Sequence, residues 1–469
     1  MVSPKPSVRD LADGAVLVDS DEPHRLLAAL DRARPDGLLE AIPGARTLLV
    51  LFDPERFDQR LIEALPLPRQ EAGPRTVRLA AVYDGPDLAQ VAAELAMPVE
   101  EVVRRHAEAE HRVSFLGFWP GFAYMTGGFA VPRLRSPRIR VPACSLAVAD
   151  GYTAVYPVES PGGWRLIGRV AARLFEPAKE PPALFVPGDR VVFEPARELP
   201  PLPPAEAGVP RGEPVLEVIS PGAFTTIQGA PRYGLGRFGV ASAGAMDLAA
   251  LAAANASIGN ESGAAALEVT VTGVELLVKK EVAISLYGQP RTARKGERLR
   301  CWPVPRGIRG YVAVAGGIEQ PLPGEPQRKL QAGDVLRIAP PHEPAPSRKP
   351  PPAASAGREI RAARGPQWDF FAEPERFFAA EWTVSPDSDR RGLRLRGEPL
   401  RLARPSDIPP EGTAPGSVQV PGEGQPIALG PDRPVTGGYA KIATIMWDDL
   451  PLLAQARPGA KLRFRDVTR

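Results

Sequence analysis

Hydrophobic and polar residues alternate over short stretches of this chain, and glycine and proline turns separate these stretches. Residues 189–193 (DRVVF) and 461–464 (KLRF) alternate in the manner of half-buried strands. Residues 15–20 (AVLVDS) and 47–53 (TLLVLFD) are also strand-like, whereas residues 24–33 (HRLLAALDRA) have the apolar spacing of a helix. The pattern predicts many short strands and few helices.

Three segments of the first half recur, in the same order, near the end of the chain. Residues 142–157, 162–170 and 187–193 are echoed by residues 415–430, 437–445 and 458–464. Each matched element combines a glycine or proline turn with a strand-like run. The correspondence predicts two copies of one β-rich unit, for which closed or nearly closed barrels are the leading architecture. We expect the glycine corners of the two copies to converge on one shared polar cleft.

The predicted fold class is α+β, mainly β, with a small N-terminal α/β unit followed by barrels in tandem. Two short helices are expected at residues 84–95 and 97–111, and a third at residues 246–259. Two proline tracts serve as linkers, the second of them exposed to solvent. The predicted organisation is an α/β unit (1–80), a barrel (81–195), a linker (196–214), the first part of the second half (215–340), a linker (341–357) and a C-terminal barrel (358–469).

Composition narrows the possible environments and partners. Lys and Arg number 58 against 55 Asp and Glu, a balance that gives no reason to expect a nucleic-acid partner. The two cysteines cannot form a disulfide framework, and neither a signal peptide nor a membrane-spanning apolar run is recognisable. We therefore expect a cytoplasmic protein that does not enter a membrane.

Histidine and cysteine spacing does not predict a metal site. Of the four histidines, His106 and His111 lie five residues apart on one predicted helix, where their side chains would face different directions. No phosphate-binding loop of the GxxxxGK[ST] type and no Met-Lys-Met biotin-attachment sequence occurs. Any biotin would therefore be carried by another protein.

Motifs in both halves resemble one family. The first half resembles the allophanate hydrolase subunit 1 family, also known as the B-type subunit of 5-oxoprolinase (KipI-like), in GFWPGFAY, VPRLRSPRIRVPACS, SPGGWRLIGR and PGDRVVF. The second half resembles the subunit 2 family, also known as the C-type subunit of 5-oxoprolinase (KipA-like), in PGAFTTIQGAPRYGLGRFGVASAGAMD, AAANASIGN, AALEVT, YVAVAGG, SDRRGLRL, GSVQV, GQPIAL and DRPVTGGYAKIA. These motifs cover most of the chain outside the linkers. The resemblance implies cyclophilin-like barrels.

The resemblance also implies a function. A fused B-type and C-type component would work with a separate A-type subunit, with ATP, to open the lactam 5-oxoproline to glutamate. A biotin-dependent carboxyltransferase acting on urea or a small amide is the variant chemistry. A non-catalytic KipI/KipA-like regulator that binds a sensor kinase is the alternative class, favoured by the short loop between GGIEQ and LQAGD, whereas the intact TGGYAK and SPGGW segments favour an enzyme. Assembly with further copies of the chain stays open.

A C-terminal cluster is the candidate for catalysis. Arg433 offers a planar fork for a carboxylate or carbamoyl oxygen, Lys441 a charge that polarises a carbonyl, and Asp432 completes the catalytic set. The predicted substrate-binding residues of this half are Asp389, Arg390, Gln425, Thr436, Gly437, Gly438 and Tyr439. The two Asp-Arg dipeptides are equally well explained as surface ion pairs with no role in catalysis.

Two glycine-rich corners supply the remaining candidates for substrate binding. Before the predicted helix of the second half these are Thr225, Thr226, Gln228, Arg232, Ser242 and Asp247. A helix N-terminus attracts anions, although Ser242 and Asp247 serve equally well as helix caps. In the first half they are Tyr124, Ser145, Ser160, Gly162, Gly163 and Trp164. Ser145 has no paired base, which argues against nucleophilic serine catalysis.

Overall fold

The structure, a computed structural model, describes residues 7–67, 75–134, 136–202, 210–301, 304, 307–325, 328–340, 347–353 and 359–468. Much of the two predicted linkers, residues 203–209, 341–346 and 354–357, lies outside the described residues. Within the described ranges, no helix is both long and apolar enough to cross a membrane.

The N-terminal unit is a four-stranded antiparallel sheet covered by one helix. Its strands are β1 (Ser7–Ala12), β2 (Ala15–Asp19), β3 (Leu38–Pro43) and β4 (Thr47–Phe52), in the order β1-β2-β4-β3. Helix α1 (Pro23–Ala33) buries Leu26, Leu27 and Leu30 against the sheet, as its apolar spacing predicts. A short helix, α2 (Leu61–Ala64), follows.

The first barrel closes with seven strands. It is built from β5 (Thr76–Val82), β6 (His111–Leu116), β7 (Ala123–Met125), β9 (Ser145–Ala149), β10 (Tyr152–Val155), β12 (Arg165–Val170) and β13 (Arg190–Pro195). A two-stranded ribbon, β8 (Arg138–Val141) with β11 (Ser160–Gly162), projects from it, and helices α3 (Leu88–Glu94) and α4 (Val99–Glu108) precede β6. Because β5 pairs with β12 and β13, the barrel begins at Thr76, before the boundary predicted at residue 80.

Residues between the barrels form two packed sheets. The first contains β14 (Pro214–Ser220), β17 (Val274–Val278), β20 (Arg298–Cys301) and β22 (Val335–Arg337). The second contains β15 (Phe224–Gln228), β16 (Ala266–Thr270), β18 (Val282–Leu286), β19 (Gln289–Ala293) and β21 (Arg309–Val314), with helix α5 (Leu248–Ala256) against β21. One apolar core joins residues of both sheets, so this region is a sandwich.

The C-terminal barrel also has seven strands. These are β23 (Ile360–Arg364), β24 (Glu381–Val384), β25 (Gly392–Arg396), β27 (Ser417–Gln419), β28 (Ile427–Leu429), β30 (Lys441–Ile445) and β31 (Lys461–Asp466), with a ribbon of β26 (Asp407–Gly412) and β29 (Thr436–Tyr439). Its short helices are α6 (Arg376–Ala379) and α7 (Leu450–Ala454). Single 3₁₀ turns occur at Gly236–Phe238, Trp368–Phe370 and Trp447–Asp449.

The two barrels have the same topology. Starting at β9 the first runs β9-β12-β5-β13-β6-β7-β10, and starting at β27 the second runs β27-β30-β23-β31-β24-β25-β28. Each contains one parallel pair, β5 with β13 and β23 with β31, and the three repeated segments occupy equivalent strands. The structure therefore confirms the mainly β fold with barrels in tandem.

The second proline tract is not simply an exposed connection. Within its described part, residues 347–353, the Arg348 guanidinium pairs with Asp13 at 2.8 Å and stacks 4.8 Å from the Trp447 ring. The indole of Trp447 in turn donates to the Lys349 carbonyl at 3.2 Å. These contacts attach the tract to the N-terminal sheet and the C-terminal barrel, because Arg348 contacts the carboxylate of Asp13 in the one and the aromatic face of Trp447 in the other.

Candidate active site

Arg433 is a buried cation with an incomplete set of partners. It lies between β28 and β29, is 1% exposed, and donates from Nε to the Thr413 carbonyl at 2.8 Å. Its two terminal nitrogens, Nη1 and Nη2, have no hydrogen-bond partner among the described residues. Burial lowers the pKa of Arg433 to about 10, although the charges of Glu40, Tyr233 and Asp432 act in the opposite direction. Both terminal nitrogens of Arg433 are therefore able to donate hydrogen bonds to a ligand.

Arg433 lines a small pocket with mostly apolar walls. The pocket has a volume of about 50 Å³, and a single water needs about 10–15 Å³ on this scale. The predicted residue Ser242 lines it as well. Its other walls include Tyr233, Met246, Pro351, Leu393, Leu429, Trp447 and Leu450. A pocket with apolar walls and one cationic fork suits a small organic anion.

Arg390 is buried, and its ion pair with the partly exposed Asp432 is more than a surface contact. The Arg390 Nε and Nη2 donate to the two carboxylate oxygens of Asp432 at 2.7 and 2.9 Å. Its Nη1 donates to Glu268 at 2.6 Å, and Nη2 also donates to the Gly244 carbonyl at 2.6 Å. Asp389, by contrast, accepts from the Arg391 amide at 2.8 Å in an exposed turn. Only one of the two Asp-Arg dipeptides therefore contributes both of its residues to the site region.

Glu268 connects this ion pair to the segment that leads into α5, on the outer face of the sandwich. It accepts from the Tyr311 hydroxyl at 2.7 Å and from the Met246 amide at 2.8 Å. Burial acts to raise its pKa, but Arg390 and the other hydrogen bonds outweigh this and lower it. Asp247 accepts from the Ala250 amide at 2.9 Å and so caps α5, and burial raises its pKa. Asp247 thus has the capping role.

Lys441 is fully buried and pairs with Glu411. Its Nζ bonds to Glu411 Oε1, which also accepts from the Gln367 side chain at 2.8 Å. Burial lowers the pKa of Lys441 despite the opposing charge of Glu411. Glu411 and Gln367 line a cavity of about 650 Å³ between the N-terminal sheet and the C-terminal barrel. Lys441 therefore lies behind the cavity wall and contacts Glu411, which lines the cavity.

The aromatic corner of the first barrel contacts the second ribbon. Tyr124 stacks on Phe115 with ring centroids 4.4 Å apart and packs edge-on against Trp164. A Cβ on Gly117 would lie 1.8 Å from the Thr436 Oγ1, so only glycine fits beside that threonine. Ser160, Gly162 and Gly163 lie at the first ribbon, where a Cβ on Gly162 would meet the Tyr156 hydroxyl. Thr436 of the second ribbon therefore lies next to the part of the first barrel that contains Gly117 and Tyr124.

The remaining predicted residues have local structural contacts. Ser145 donates to the Pro142 carbonyl at 2.8 Å, Thr225 to the Pro221 carbonyl at 2.7 Å, and Gln425 bonds the backbone of Gly397. Gln228 donates to Thr226 at 3.0 Å within β15, and Arg232 to the Pro321 carbonyl at 2.6 Å. A Cβ on Gly437 or Gly438 would meet Gln419 or Ile408, and Tyr439 is 42% exposed.

The comparisons with known proteins match both halves. The family model for the carboxyltransferase domain, subdomains C and D, matches residues 6–185, and the model for subdomains A and B matches residues 238–466. The C-type subunit of 5-oxoprolinase from Escherichia coli (strain K12) is 32% identical over 280 residues, 53% of this chain and 90% of that protein. The B-type subunit of 5-oxoprolinase from Escherichia coli O157:H7 is 39% identical over 173 residues, 34% of this chain and 79% of that protein.

The chain belongs to the carboxyltransferase-domain family. Its B-type half precedes its C-type half, so this carboxyltransferase-domain protein has the organisation of a B/C fusion. The crystal structure of TTHA0988 has the same arrangement, with a TM-score of 0.83 and 34% identity over 98% of this chain and 100% of that chain.

For this carboxyltransferase-domain protein, the expectation that Arg433 and Lys441 share one cleft is wrong. Arg433 and Lys441 are both buried beside cavities, but the two cavities have no lining residue in common. The reason is that Arg433 lies in the loop before β29, whereas Lys441 begins β30 and extends to the Glu411 carboxylate. Arg433 therefore lies at one cavity and the Lys441–Glu411 pair at another.

Three functional candidates were missed by sequence reasoning. Glu411, Gln367 and Glu268 complete the buried polar contacts, yet Glu411 and Gln367 lie outside the recognised motifs, and Glu268 is a single carboxylate within AALEVT. A carboxylate within a strand next to apolar residues, as in ALEVT, was the available signal for Glu268. Within the described part of the chain, no three His, Cys, Asp or Glu side chains are grouped to hold a metal ion.

Proposed function

We propose that this protein is the fused B-type and C-type component of an ATP-dependent 5-oxoprolinase. It would work with a separate A-type subunit to open 5-oxoproline to glutamate. Its similarity to the B-type and C-type subunits of 5-oxoprolinase supports this assignment. The observation that carries it is the Arg433 pocket, in which a buried guanidinium with two unpartnered nitrogens faces apolar walls.

The chemistry of 5-oxoproline matches this pocket. The molecule carries one carboxylate on a compact five-membered lactam ring. The carboxylate would accept a bidentate pair of hydrogen bonds from Arg433, and the ring would lie against Met246 and Leu429. Arg390, held by Glu268 and Asp432, fixes the Asp432–Arg433 segment in place. Asp432 is therefore a positioning residue rather than a group that meets the substrate.

Ring opening breaks the lactam C–N bond. Water adds to the carbonyl carbon, and the released nitrogen takes up protons to become the ammonium of glutamate. ATP hydrolysis to ADP and phosphate drives the reaction. The Arg433 pocket is too small for a nucleoside triphosphate, and both arginines that line the cavity beside Glu411 are already paired with carboxylates. These features support placing ATP on the A-type subunit.

The test combines the purified chain with an A-type subunit. Glutamate release from 5-oxoproline is measured with and without ATP, and binding of 5-oxoproline to the chain alone is measured by calorimetry. We expect release only with ATP, and loss of binding in Arg433→Met. If no glutamate forms under any nucleotide condition, the assignment is rejected.

Carboxyl transfer is the second candidate, because both family models are named for carboxyltransferase domains. In that case another protein carries the biotin, and Arg433 would bind the carboxylate or carbamoyl group being transferred. The test supplies carboxybiotin that a biotin carboxylase has formed from labelled bicarbonate and ATP. Transfer of the labelled carboxyl group from carboxybiotin to urea, with release of biotin, distinguishes this reaction from lactam opening. Binding of a sensor kinase with neither activity would instead identify a regulator.

A further inference from the structure

We infer that the cavity beside Glu411 is a separate binding site for a free α-amino acid. It lies between the N-terminal sheet, which contributes Arg9, Asp19 and Thr47, and the C-terminal barrel, which contributes Gln367 and Glu411. Its volume of about 650 Å³ exceeds that of an amino acid. It shares no lining residue with the Arg433 pocket, so this inference is independent of the proposed reaction.

The floor of this cavity offers an acceptor of fixed position. Glu411 is 5% exposed, and its Oε1 is occupied by Lys441 and Gln367. Its Oε2 has no hydrogen-bond partner among the described residues, and the carboxylate lines the cavity. Lys441, buried behind it, forms an ion pair with this carboxylate. A buried carboxylate with one open oxygen suits a ligand ammonium group.

A second polar side chain at the cavity is also unsatisfied. Thr47 is 5% exposed and lines the cavity, yet its Oγ1 has no hydrogen-bond partner among the described residues. A buried hydroxyl without a partner costs free energy until a ligand or water satisfies it. Together with Glu411, Thr47 supplies an acceptor for a second ammonium proton.

The carboxylate of the ligand would be bound by the positively charged Arg9. Arg9 pairs with Asp19 at 2.6 Å through Nη2, and its Nη1 donates to the Pro366 carbonyl at 3.3 Å, so that each terminal nitrogen retains a second proton. In total, five carboxylates and two guanidinium groups line the cavity. Each of these carboxylates is paired with an arginine or a lysine, so the charges around the cavity are balanced, and a zwitterion places its ammonium at Glu411 and its carboxylate at Arg9.

The experiment compares two ligands that differ only in the amino group. L-Glutamate and glutarate are titrated into the full-length protein by calorimetry. We expect saturable binding of L-glutamate and at least tenfold weaker binding of glutarate, because a hydrogen bond to a charged group is worth about 1.5–3 kcal/mol, or tenfold and more. Equal binding of the two ligands, or no binding of L-glutamate at millimolar concentration, overturns the inference.

Variants locate the binding. Glu411→Gln should weaken L-glutamate at least tenfold, and Thr47→Val, which leaves the Lys441 pair intact, should weaken it severalfold. Glu398→Gln, an exposed carboxylate elsewhere, is the matched control and should bind as the native protein does. The preference for L-glutamate over glutarate should persist in Arg433→Met, which removes the cation of the other pocket, so failure of this site and failure of the proposed function give different results. Unchanged affinity in both Thr47→Val and a folded Glu411→Gln overturns the assignment.

Discussion

Replacing Arg433 by methionine should have opposite effects on stability and on ligand binding. Methionine has a similar length and no charge, so it fills the same space beside the pocket. The native guanidinium is buried and, among the residues that the structure describes, makes one hydrogen bond, to Thr413, and leaves two nitrogens unpartnered. Stabilisation of the ligand-free protein and loss of affinity for 5-oxoproline are therefore expected together.

The magnitude follows from the position of the charge. Burial lowers the pKa of Arg433 from 12.5 to about 10, and because each pKa unit corresponds to about 1.4 kcal/mol, the buried charge costs roughly 3 kcal/mol. Loss of the hydrogen bond to Thr413 costs about 1 kcal/mol. The variant should therefore be more stable by about 2 kcal/mol. Loss of a buried charge pair with the ligand costs about 2–5 kcal/mol, a decrease in affinity of about 30-fold or more.

Thermal denaturation of the ligand-free protein and calorimetry with 5-oxoproline measure the two quantities. Arg390→Met is the matched control, since this arginine has partners for its charge. Its removal leaves the buried Glu268 with only Arg309, 3.9 Å away, and the partly exposed Asp432 without its ion-pair partner, and should destabilise the protein by about 3–5 kcal/mol. The reasoning is refuted if Arg433→Met destabilises the protein as much as Arg390→Met does, or if it binds 5-oxoproline with unchanged affinity.

Three further perturbations test other parts of the structure. Gly117→Ala should destabilise the protein by about 1–3 kcal/mol, because the new Cβ clashes with Thr436, and Thr436→Ala in the same chain should recover part of the loss in a denaturation assay. Lys441→Met should lower the free energy of unfolding by about 3 kcal/mol by leaving its carboxylate partner without a cation, and equal stability in urea titration would contradict this. Burial lowers the pKa values of His106 and His111 below 6.5, so the unfolded chain binds more protons below that pH. The melting temperature should therefore fall as the pH drops from 6.5, and it should fall less steeply in His106→Gln. If the melting temperature of His106→Gln falls as steeply with pH as that of the native protein, His106 is not the source of this pH dependence.

The barrels were predictable because their signals are local. Each repeated segment carries its own turn residues and alternating strand, as in residues 187–193 and 458–464, so the order of motifs was enough to indicate two copies. The sandwich between the barrels carried no comparable repeat. Its strands were recognisable one by one, but their division into two sheets depends on pairings between distant residues.

The site was less predictable because its contacts join distant parts of the chain. Arg390 meets Glu268 across 122 positions, and Lys441 meets Glu411 across 30. The histidines give a similar lesson. The helix predicted over residues 97–111 ends at Glu108, because His111 pairs with Val191 as the first residue of β6. The rings of His106 and His111 therefore lie 4.6 Å apart, and the prediction that they face different directions is wrong.

The parallel strand pair in each barrel determines how the barrel joins the rest of the chain. The strand that enters a barrel lies directly beside the strand that leaves it, in β5 with β13 and in β23 with β31. The chain therefore enters the barrel at one end of this strand pair and leaves it at the other end, on the same flank of the barrel, so neither barrel needs to be threaded through another domain. Such a module tolerates being fused, severed or transplanted, which accounts in physical terms for related halves existing both as separate polypeptides and as one.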